Sequence, residues 1–299
     1  MIMIKKFSLL LVLILFCSAC SLKSPPSADP GKSGKEEAEA KDPVYILILG
    51  IDTRGEERSR SDAILVGQYD IRKRSVKLVS LMRDTYVRIP GYTKGYNKLN
   101  TAYYLGGKEL LIKTIKDNFN IPIDHYAIVD FNGFTEVVDA IAPEGLKLQV
   151  SKEMAEDMKL DVQPGKNVLH GKDVLKYVRF RHDDDNDFGR VKRQQEVMLK
   201  LKEKMAGDVS SLQQIAVMPK LIEGAMKYVE TDLGISDTLS LASSLIMHKV
   251  KSVETMTIPI SGAFENKSYD HAGSVLQMDK QKNVEALHGF FNHTKAVNK

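Results

Sequence analysis

Residue types that bind phosphate are concentrated in two stretches of this chain, residues 50–84 and 177–195. They comprise five arginines, two aspartates and a glutamine: Asp52, Arg54, Asp62, Arg83, Arg179, Arg181, Arg190 and Gln194. Arginine stays charged, and its planar fork binds phosphate through two parallel hydrogen bonds. Because acidic residues stand among the basic ones, the mixture predicts a site that binds a polyanion together with a divalent metal. The protein is expected to act outside the cell.

Phosphoryl transfer from a diphosphate is the chemistry that these residue types suit. The negative charges of a diphosphate repel an incoming nucleophile, so catalysis consists mostly of positioning and charge neutralisation. Mg²⁺ is usually held by one or two carboxylates together with phosphate oxygens, and Asp52 and Asp62 would supply those carboxylates to Mg²⁺ or Mn²⁺. The group that takes the nucleophile's proton is left open, and Asp52 is the candidate.

Each of these residues also has an ordinary structural explanation. Asp52 and Asp62 are typical of turns at strand ends, and Arg83 beside an aspartate would make a surface ion pair worth at most about 1 kcal/mol. Arg190 and Gln194 are four residues apart and would share an exposed helix face. Each of these structural explanations would have to be correct independently of the others, whereas a single phosphate site explains all the residues at once.

The pattern of apolar residues predicts alternating strands and helices. Strands are expected at 44–50, 63–69, 75–81, 126–129, 146–150 and 253–259, and helices at 108–119, 131–141, 171–178, 188–205, 212–228 and 236–248. This alternation predicts an α/β fold in which helices flank a mixed central β-sheet.

The first phosphate-binding stretch contains a predicted hairpin, in which residues 70–74 join two strands. In an antiparallel hairpin the start of one strand lies beside the end of the other. Asp62 should therefore approach Arg83, although 21 positions separate them.

The second stretch leads into a helix. An extended backbone at Arg179, Phe180 and Arg181 would turn both arginines to one side and the phenylalanine to the other. Asp187 is well placed to cap the helix at 188–205, and the N-terminus of a helix favours an anion. The two stretches are therefore predicted to face one anionic ligand.

The N-terminal residues predict export and tethering. Residues 1–19 have a basic start, an apolar run and small residues before Cys20, the layout of a lipoprotein signal with Cys20 as the lipidation candidate. The apolar run is shorter than the about 20 residues that span a membrane, and an uncleaved membrane anchor is the alternative. Residues 20–42 are predicted to be a flexible tether, and residues 43–299 one extracellular catalytic domain.

Composition argues against several other classes of protein. The formal net charge of +4 falls by two to +2 when Lys5 and Lys6 leave with the signal, which argues against a nucleic-acid binder. Both cysteines lie within residues 1–20, so the remaining chain has no disulfide or thiolate metal site. No two histidines are four residues apart and no Gly-x-Ser-x-Gly motif occurs, which argues against zinc and against a serine hydrolase.

Six ordered motifs carry a family resemblance. They are LGIDTRG at 49–55, SRSD at 59–62, SLMRDT at 80–85, KLNTAY at 98–103, YVRFR at 177–181, and DFGR at 187–190 with RQQ at 193–195. In kind, order and spacing they resemble the motifs of the LytR-CpsA-Psr (LCP) proteins of bacterial cell-wall assembly. The resemblance implies a central sheet flanked by helices around an apolar tunnel for a polyprenyl chain.

The resemblance also implies a reaction: transfer of a phosphate-linked glycopolymer, such as teichoic acid or capsule, from a polyprenyl diphosphate carrier onto peptidoglycan. It places the chain at the outer face of the bacterial cytoplasmic membrane. By resemblance, Arg83, Arg181 and Arg190 bind the diphosphate. The supporting residues are Arg54, Lys98, Arg179 and Gln194.

Three other functions stay open at this point. A lipid-diphosphate phosphatase would use the same site with water as the nucleophile. A non-catalytic lipid-binding regulator of the envelope would need the apolar tunnel but not Asp52, Arg83 or Arg190. A peptidoglycan-binding module would need exposed aromatic rings for sugar stacking, and the absence of Trp counts against it.

Overall fold

The computed structural model describes residues 43–52, 61–181, 186–208, 228–234, 237–238, 240–241, 250 and 252–292. The predicted signal, lipidation site and tether, together with Arg54, lie outside the described residues, as does most of the two helices predicted at 212–228 and 236–248. In the described part of the chain, no helix is long and apolar enough to cross a membrane.

A six-stranded mixed sheet forms the centre of the fold. Its strands are β1 (Val44–Ile51), β2 (Ser61–Asp70), β3 (Ser75–Leu81), β6 (His125–Asp130), β9 (Val229–Thr231) and β10 (Ser252–Ile258), in the order β10-β3-β2-β1-β6-β9. The β1–β2, β2–β3 and β6–β9 pairs are antiparallel, and the β1–β6 and β3–β10 pairs are parallel. The predicted mixed sheet and the hairpin at 70–74 are therefore confirmed.

Three two-stranded ribbons and six helices complete the described elements. The ribbons pair β4 (Tyr86–Arg88) with β5 (Tyr96–Lys98), β7 (Leu146–Val150) with β8 (Gly165–Leu169), and β11 (Phe264–Tyr269) with β12 (Gly273–Met278). The helices are α1 (Leu99–Phe119), α2 (Phe131–Ile141), α3 (Lys152–Asp157), α4 (Gly171–Arg179), α5 (Asn186–Asp208) and α6 (Lys280–Asn292).

Both faces of the sheet are covered, as the continuous apolar run in β1 predicts. Ile46 and Ile48 belong to a core that contains buried side chains of α2, α4 and α5. Leu47 and Leu49, which point to the opposite face, belong to a second core with side chains of α1 and α6. Alternate residues of one strand thus hold two layers of helices in place.

Helix α1 begins earlier than the sequence pattern predicts. Its predicted start is Lys108, but the helix starts at Leu99 and contains two residues with non-helical angles, Gly106 and Gly107. Gly107 has a φ of 63°, which glycine adopts without a Cβ clash. The two glycines interrupt the apolar periodicity, so the first turns of α1 are hidden from a pattern search.

The start of α4 is fixed by close packing at a glycine. The Gly171 backbone N–H donates to Asp139 Oδ1 over 2.7 Å. A Cβ at Gly171 would lie 2.3 Å from the backbone oxygen of Thr135 in α2. Helix α4 ends at the second phosphate-binding stretch, so this contact sets where that stretch begins.

Substitution Gly171→Ala is expected to lower the free energy of unfolding by about 1–3 kcal/mol, because the added methyl group meets backbone that must shift. Denaturant-induced unfolding measures the change. Lys172→Ala, at the exposed next residue of the same helix, is the control and should stay within about 0.5 kcal/mol of the wild type. Equal stability of the two variants would contradict this account of the helix start.

Candidate functional site

The acidic and basic residues of the first stretch meet at one edge of the central sheet. Asp52 directly follows β1, and Asp62 lies at the start of β2, which runs antiparallel to β1. Ile51 pairs with Ser61 across an irregularity in the register, so the two aspartates stand on neighbouring strand ends. Arg83 follows the end of β3 at the same edge.

The predicted approach of Asp62 to Arg83 is confirmed. Arg83 Nη1 donates a short hydrogen bond to Asp62 Oδ1, and Arg83 Nε lies 3.4 Å from Asp84 Oδ2. Lys98, at the end of β5, brings its Nζ to 2.9 Å from Asp84 Oδ1. These side chains are between 18% and 25% exposed, so the pairs are more shielded than ordinary surface ion pairs.

The second stretch joins the same network from the other side. Arg181 Nη2 lies 3.6 Å from Asp62 Oδ1, and Arg181 Nε lies 3.8 Å from Asp187 Oδ1. Arg190 Nη2 donates to Asp187 Oδ2 over 2.9 Å. The capping role predicted for Asp187 is wrong, because α5 begins at Asn186 and Asp187 lies in its first turn, where its carboxylate pairs with arginines.

Arg190 is the most deeply buried charge of this cluster. Its side chain is 2% exposed, and its Nε and Nη1 have no hydrogen-bond partner among the described residues. The pKa of the Arg190 guanidinium is lowered to about 10, mainly by burial and in addition by the nearby charges of Arg83 and Arg181, while Asp187 and Asp62 oppose the shift. A buried cation with unpaired N–H groups is a site prepared for an anion.

Burial and charge act in the same way on Arg181. Desolvation is the main cause that lowers the pKa of its guanidinium, and the neighbouring charge of Arg83 is the next. Four cations, Arg83, Lys98, Arg181 and Arg190, face three carboxylates, Asp62, Asp84 and Asp187. Among these described ion pairs the positive charges outnumber the negative charges by one, before the nearby Asp52 carboxylate is counted.

An apolar cavity of about 130 Å³ opens beside the charged cluster. It lies between the sheet and helices α2, α4 and α5, and its apolar lining includes Ile48, Leu65, Val129, Phe134, Val138, Leu175, Val178, Val197, Met198 and Leu201. Its polar lining residues are Asp62, Asp130, Arg179, Arg181, Arg190 and Gln194. Most of these polar residues come from strand ends and the adjoining ends of α4 and α5, so the charge is gathered at one end of the cavity.

Arg179 lines this cavity from a helix, whereas the sequence predicts an extended segment at this position. It is the last residue of α4 instead of part of an extended segment. Its guanidinium carbon lies 4.4 Å from the centre of the Phe131 ring, a cation–π contact. Both arginines of the segment line the cavity and so lie on the same side, as predicted, while Phe180 is buried with 1% exposure and does not line it.

Two carboxylates of the site have roles that the sequence analysis missed. Asp84 joins Arg83 to Lys98, and Asp187 joins Arg181 to Arg190. The sequence feature that could have revealed these roles is proximity to an arginine that needs a counter-charge. Asp84 directly follows Arg83, and Asp187 stands three residues before Arg190. A pattern search for phosphate ligands passes over such residues because they do not bind phosphate themselves.

Asp52 and Asp62, which stand on neighbouring strand ends, are the two carboxylates that the sequence predicts as metal ligands. No group of three or more His, Cys, Asp or Glu side chains that could hold a metal occurs within the described ranges. Mg²⁺ needs no such group, since it is commonly held by one or two carboxylates, water and substrate phosphates. The pair of strand-end aspartates fits that requirement, provided that the ligand supplies phosphate oxygens.

Comparison with known sequences identifies the family. The sequence profile of the LytR_cpsA_psr family matches residues 18–287. The chain belongs to the LytR-CpsA-Psr family. Regulatory protein MsrR of Staphylococcus aureus (strain COL) is 39% identical over 249 residues, which cover 83% of this chain and 74% of MsrR. The polyisoprenyl-teichoic acid–peptidoglycan teichoic acid transferase TagV of Bacillus subtilis (strain 168) is 32% identical over 263 residues, 83% of this chain and 65% of TagV.

Solved structures of LCP proteins share the fold. B. subtilis TagV superimposes with a TM-score of 0.68 at 29% identity, covering 85% of this chain and 99% of the TagV chain. TagT bound to LIIa-WTA superimposes with a TM-score of 0.67 at 27% identity, covering 85% of this chain and 91% of the TagT chain. The mixed sheet with flanking helices is therefore the LCP fold.

Substitution Arg190→Met is expected to abolish the stabilisation of the protein by inorganic diphosphate. In the wild type, a diphosphate at 100 times its Kd should stabilise the fold by about 2.7 kcal/mol. Without ligand, the change in unfolding free energy combines the loss of the hydrogen bond to Asp187 with the relief of repulsion from Arg83 and Arg181. Thermal unfolding with and without diphosphate measures both effects.

The control is Arg88→Met, which removes an exposed arginine of β4 outside the cluster. It should keep the whole ligand-induced increase in Tm. If Arg190→Met keeps that increase as well, the anion does not bind at the Arg190 guanidinium.

Proposed function

We propose that this protein transfers a phosphate-linked glycopolymer, wall teichoic acid or a similar anionic polymer, from a polyprenyl diphosphate carrier to peptidoglycan. The observation that carries the proposal is the joining of an apolar cavity to a cluster of partly buried arginines. A polyprenyl diphosphate has the same two parts, an apolar chain ending in a strongly charged group. The proposal is further supported by the relative TagV, whose name states that activity.

The carrier would bind with the part of its prenyl chain next to the diphosphate in the apolar cavity, whose volume of about 130 Å³ is smaller than a whole polyprenyl chain, and the cavity would then serve as the start of the tunnel. Its diphosphate would lie at Arg83, Arg181 and Arg190, with Lys98, Arg179 and Gln194 in support. Arg190 contributes the Nε and Nη1 groups, which have no hydrogen-bond partner among the residues that the structure describes. A buried and fixed guanidinium stabilises developing phosphate charge more strongly than one in water does.

In the transfer step a hydroxyl oxygen of peptidoglycan attacks the phosphorus nearest to the polymer. A new phosphorus–oxygen bond forms, the bond to the bridging oxygen breaks, and polyprenyl phosphate leaves with that oxygen. The hydroxyl proton leaves the attacking oxygen, and Asp52 is the candidate acceptor. The arginines neutralise the charge that grows on the leaving phosphate and hold the reacting phosphorus in place.

Asp52 and Asp62 are the residues we assign to a divalent metal, Mg²⁺ or Mn²⁺. When bound, the ion would supply additional charge neutralisation at the phosphate oxygens. Asp62 already accepts from Arg83 and lies near Arg181 through its Oδ1 atom, so it also aligns the two arginines.

We assign the site of action to the outer face of the bacterial cytoplasmic membrane. Residues 1–19 with Cys20 would provide the lipid anchor or membrane anchor, and residues 20–42 would provide the tether. A lipid-linked donor and a wall acceptor both lie within reach of a tethered domain at that surface.

A second function, regulation of the envelope without catalysis, is favoured by one observation. The relative MsrR, at 39% identity, is named a regulatory protein. A regulator could bind the lipid carrier through the same cavity and arginines without transferring the polymer. The two functions differ in turnover, not in ligand.

Substitution Arg83→Ala is expected to lower the transfer rate at least about 100-fold, the effect of removing one preorganised charge-neutralising group. The assay incubates the full-length protein with a lipid-diphosphate-linked glycan and peptidoglycan oligomers, and mass spectrometry detects the phosphodiester-linked product. Arg88→Ala, at the exposed arginine of β4, is the control and should retain wild-type activity.

Three outcomes of this assay separate the candidate functions. Product that appears with the wild type and is lost with Arg83→Ala supports the transferase. Free phosphorylated glycan without attachment to peptidoglycan would instead indicate a lipid-diphosphate phosphatase. Binding of the lipid without turnover in the wild type would indicate the regulator.

Removal of divalent metal with EDTA is expected to stop transfer, and added Mg²⁺ or Mn²⁺ should restore it. Substitution Asp52→Asn should raise the metal concentration for half-maximal rate at least about tenfold, because one of the two carboxylate ligands is lost. Asp117→Asn, an exposed position in α1, is the control. Full activity in EDTA would show that the metal assignment is wrong.

A further inference from the structure

We propose that a polar pocket on the other side of Arg83 from the apolar cavity is a saccharide-binding subsite. We call it the tyrosine pocket, and Tyr92, Asn97, Thr101, Tyr104 and His271 line it together with Arg83. The proposal rests on the proposed function, because it assigns the sugar that is joined to the diphosphate or that accepts it. The ligand class is a pyranose of the donor glycan or of peptidoglycan.

The size and lining of the tyrosine pocket suit a sugar. Its volume is about 350 Å³, within the range of about 300–1,000 Å³ that is usual for small-molecule sites. Tyr92 and Tyr104 present rings that combine an apolar face with a hydroxyl group. The Thr101 hydroxyl, whose proton goes to Asn97, adds oxygen lone pairs that can accept hydrogen bonds from a ligand. A pyranose has matching apolar faces and a rim of hydroxyl groups.

Asn97 holds one wall of the pocket in a fixed arrangement. Its side chain is buried, and its Nδ2 donates to Tyr92 Oη over 3.1 Å and to the His271 carbonyl oxygen over 3.5 Å. Its Oδ1 accepts from Thr101 Oγ1 over 3.2 Å and from the Lys98 backbone N–H over 2.8 Å. A single asparagine thus joins three segments that line the pocket, and such preorganisation lowers the entropy cost of binding.

A second part of the wall is fixed by His271, in the turn between β11 and β12. Its Nε2 lies 3.2 Å from Tyr86 Oη and 3.0 Å from the Tyr96 carbonyl oxygen. The Tyr86 ring stacks on Tyr269 with centroids 4.6 Å apart, and on Tyr96 with centroids 5.6 Å apart. These contacts tie the β11–β12 ribbon to the β4–β5 ribbon and keep the pocket open between them.

Arg83 connects the tyrosine pocket to the phosphate site. Its Nη1 donates to Asp62, which lines the apolar cavity, and its Nε lies beside Asp84, which lines the tyrosine pocket. A ligand that extends from the apolar cavity past Arg83 into the tyrosine pocket would therefore meet an apolar, then a charged and then a polar environment. That order matches prenyl chain, diphosphate and sugar.

A second polar pocket also borders Asp84, and its composition differs. It is lined by Asp84, Asp187, Asn266, Lys267, Ser268, Ser274, Val275 and Leu276. This lining contains no aromatic ring to receive a sugar face. The tyrosine pocket is therefore the better saccharide site of the two.

The test measures binding of three probes to the full-length protein: farnesyl diphosphate, farnesyl diphospho-N-acetylglucosamine, and a lipid-free peptidoglycan disaccharide. Tyr104→Ala removes a ring of the pocket, and His271→Ala removes the imidazole that contacts Tyr86 and the Tyr96 carbonyl group. Tyr228→Ala is the control, since Tyr228 is an exposed tyrosine that does not line the pocket.

Tyr104→Ala is expected to weaken binding of at least one sugar-bearing probe about fivefold or more, the effect of losing one ring contact. Its affinity for farnesyl diphosphate should stay unchanged, which also shows that the variant is folded. A loss confined to the lipid-linked sugar assigns the pocket to the donor, and a loss confined to the disaccharide assigns it to the acceptor. His271→Ala should repeat the pattern.

Two results would overturn the saccharide subsite. In the first, neither pocket variant changes the affinity for either sugar-bearing probe. In the second, the variants weaken all three probes equally, which would make the pocket part of the diphosphate site. Failure of the proposed transferase is distinguishable, because the wild type would then bind the sugar-bearing probes without forming a phosphodiester product.

Discussion

The burial of arginines beside one another is the constraint on which this site depends. Burial is the main cause that lowers the pKa of the Arg181 and Arg190 guanidinium groups, and the neighbouring positive charge of Arg83 lowers the pKa of both as well. Asp62 and Asp187 make the cluster possible, since Asp62 lies between Arg83 and Arg181 and Asp187 between Arg181 and Arg190. Within the described ranges, the carboxylates leave Arg83 Nε and the Nε and Nη1 atoms of Arg190 without a hydrogen-bond partner, and an anionic ligand would supply one.

The fold brings this cluster together by aligning the ends of its elements. Strands β1, β2 and β3 place Asp52, Asp62 and Arg83 at one sheet edge, although the three residues are separated by loops. Helices α4 and α5 bring Arg181 and Arg190 to the same edge while their apolar faces join the core. Because each helix is anchored along its length, its charged end has little freedom to move away from its neighbours.

The sequence predicts those parts of the site that follow from local periodicity. The hairpin register places Asp62 beside Arg83, and the Arg190–Gln194 spacing places both residues on the cavity, so these features could be predicted. The position of Arg179 at the end of α4, the pairing of Asp187 and the early start of α1 could not, because each depends on tertiary packing or on glycines that break the pattern. The tyrosine pocket depends on contacts across more than 170 residues, which no local pattern encodes.

The apolar cavity has a consequence for how a membrane-embedded carrier would be selected. A prenyl chain that moves from a bilayer into this cavity exchanges one apolar environment for another, so the tail contributes little net free energy. The same chain arriving from water would gain about 0.8 kcal/mol for each buried CH₂ group. Discrimination among lipids in the membrane would thus rest on the charged head group, and water-soluble analogues with different tail lengths would exaggerate the importance of the tail.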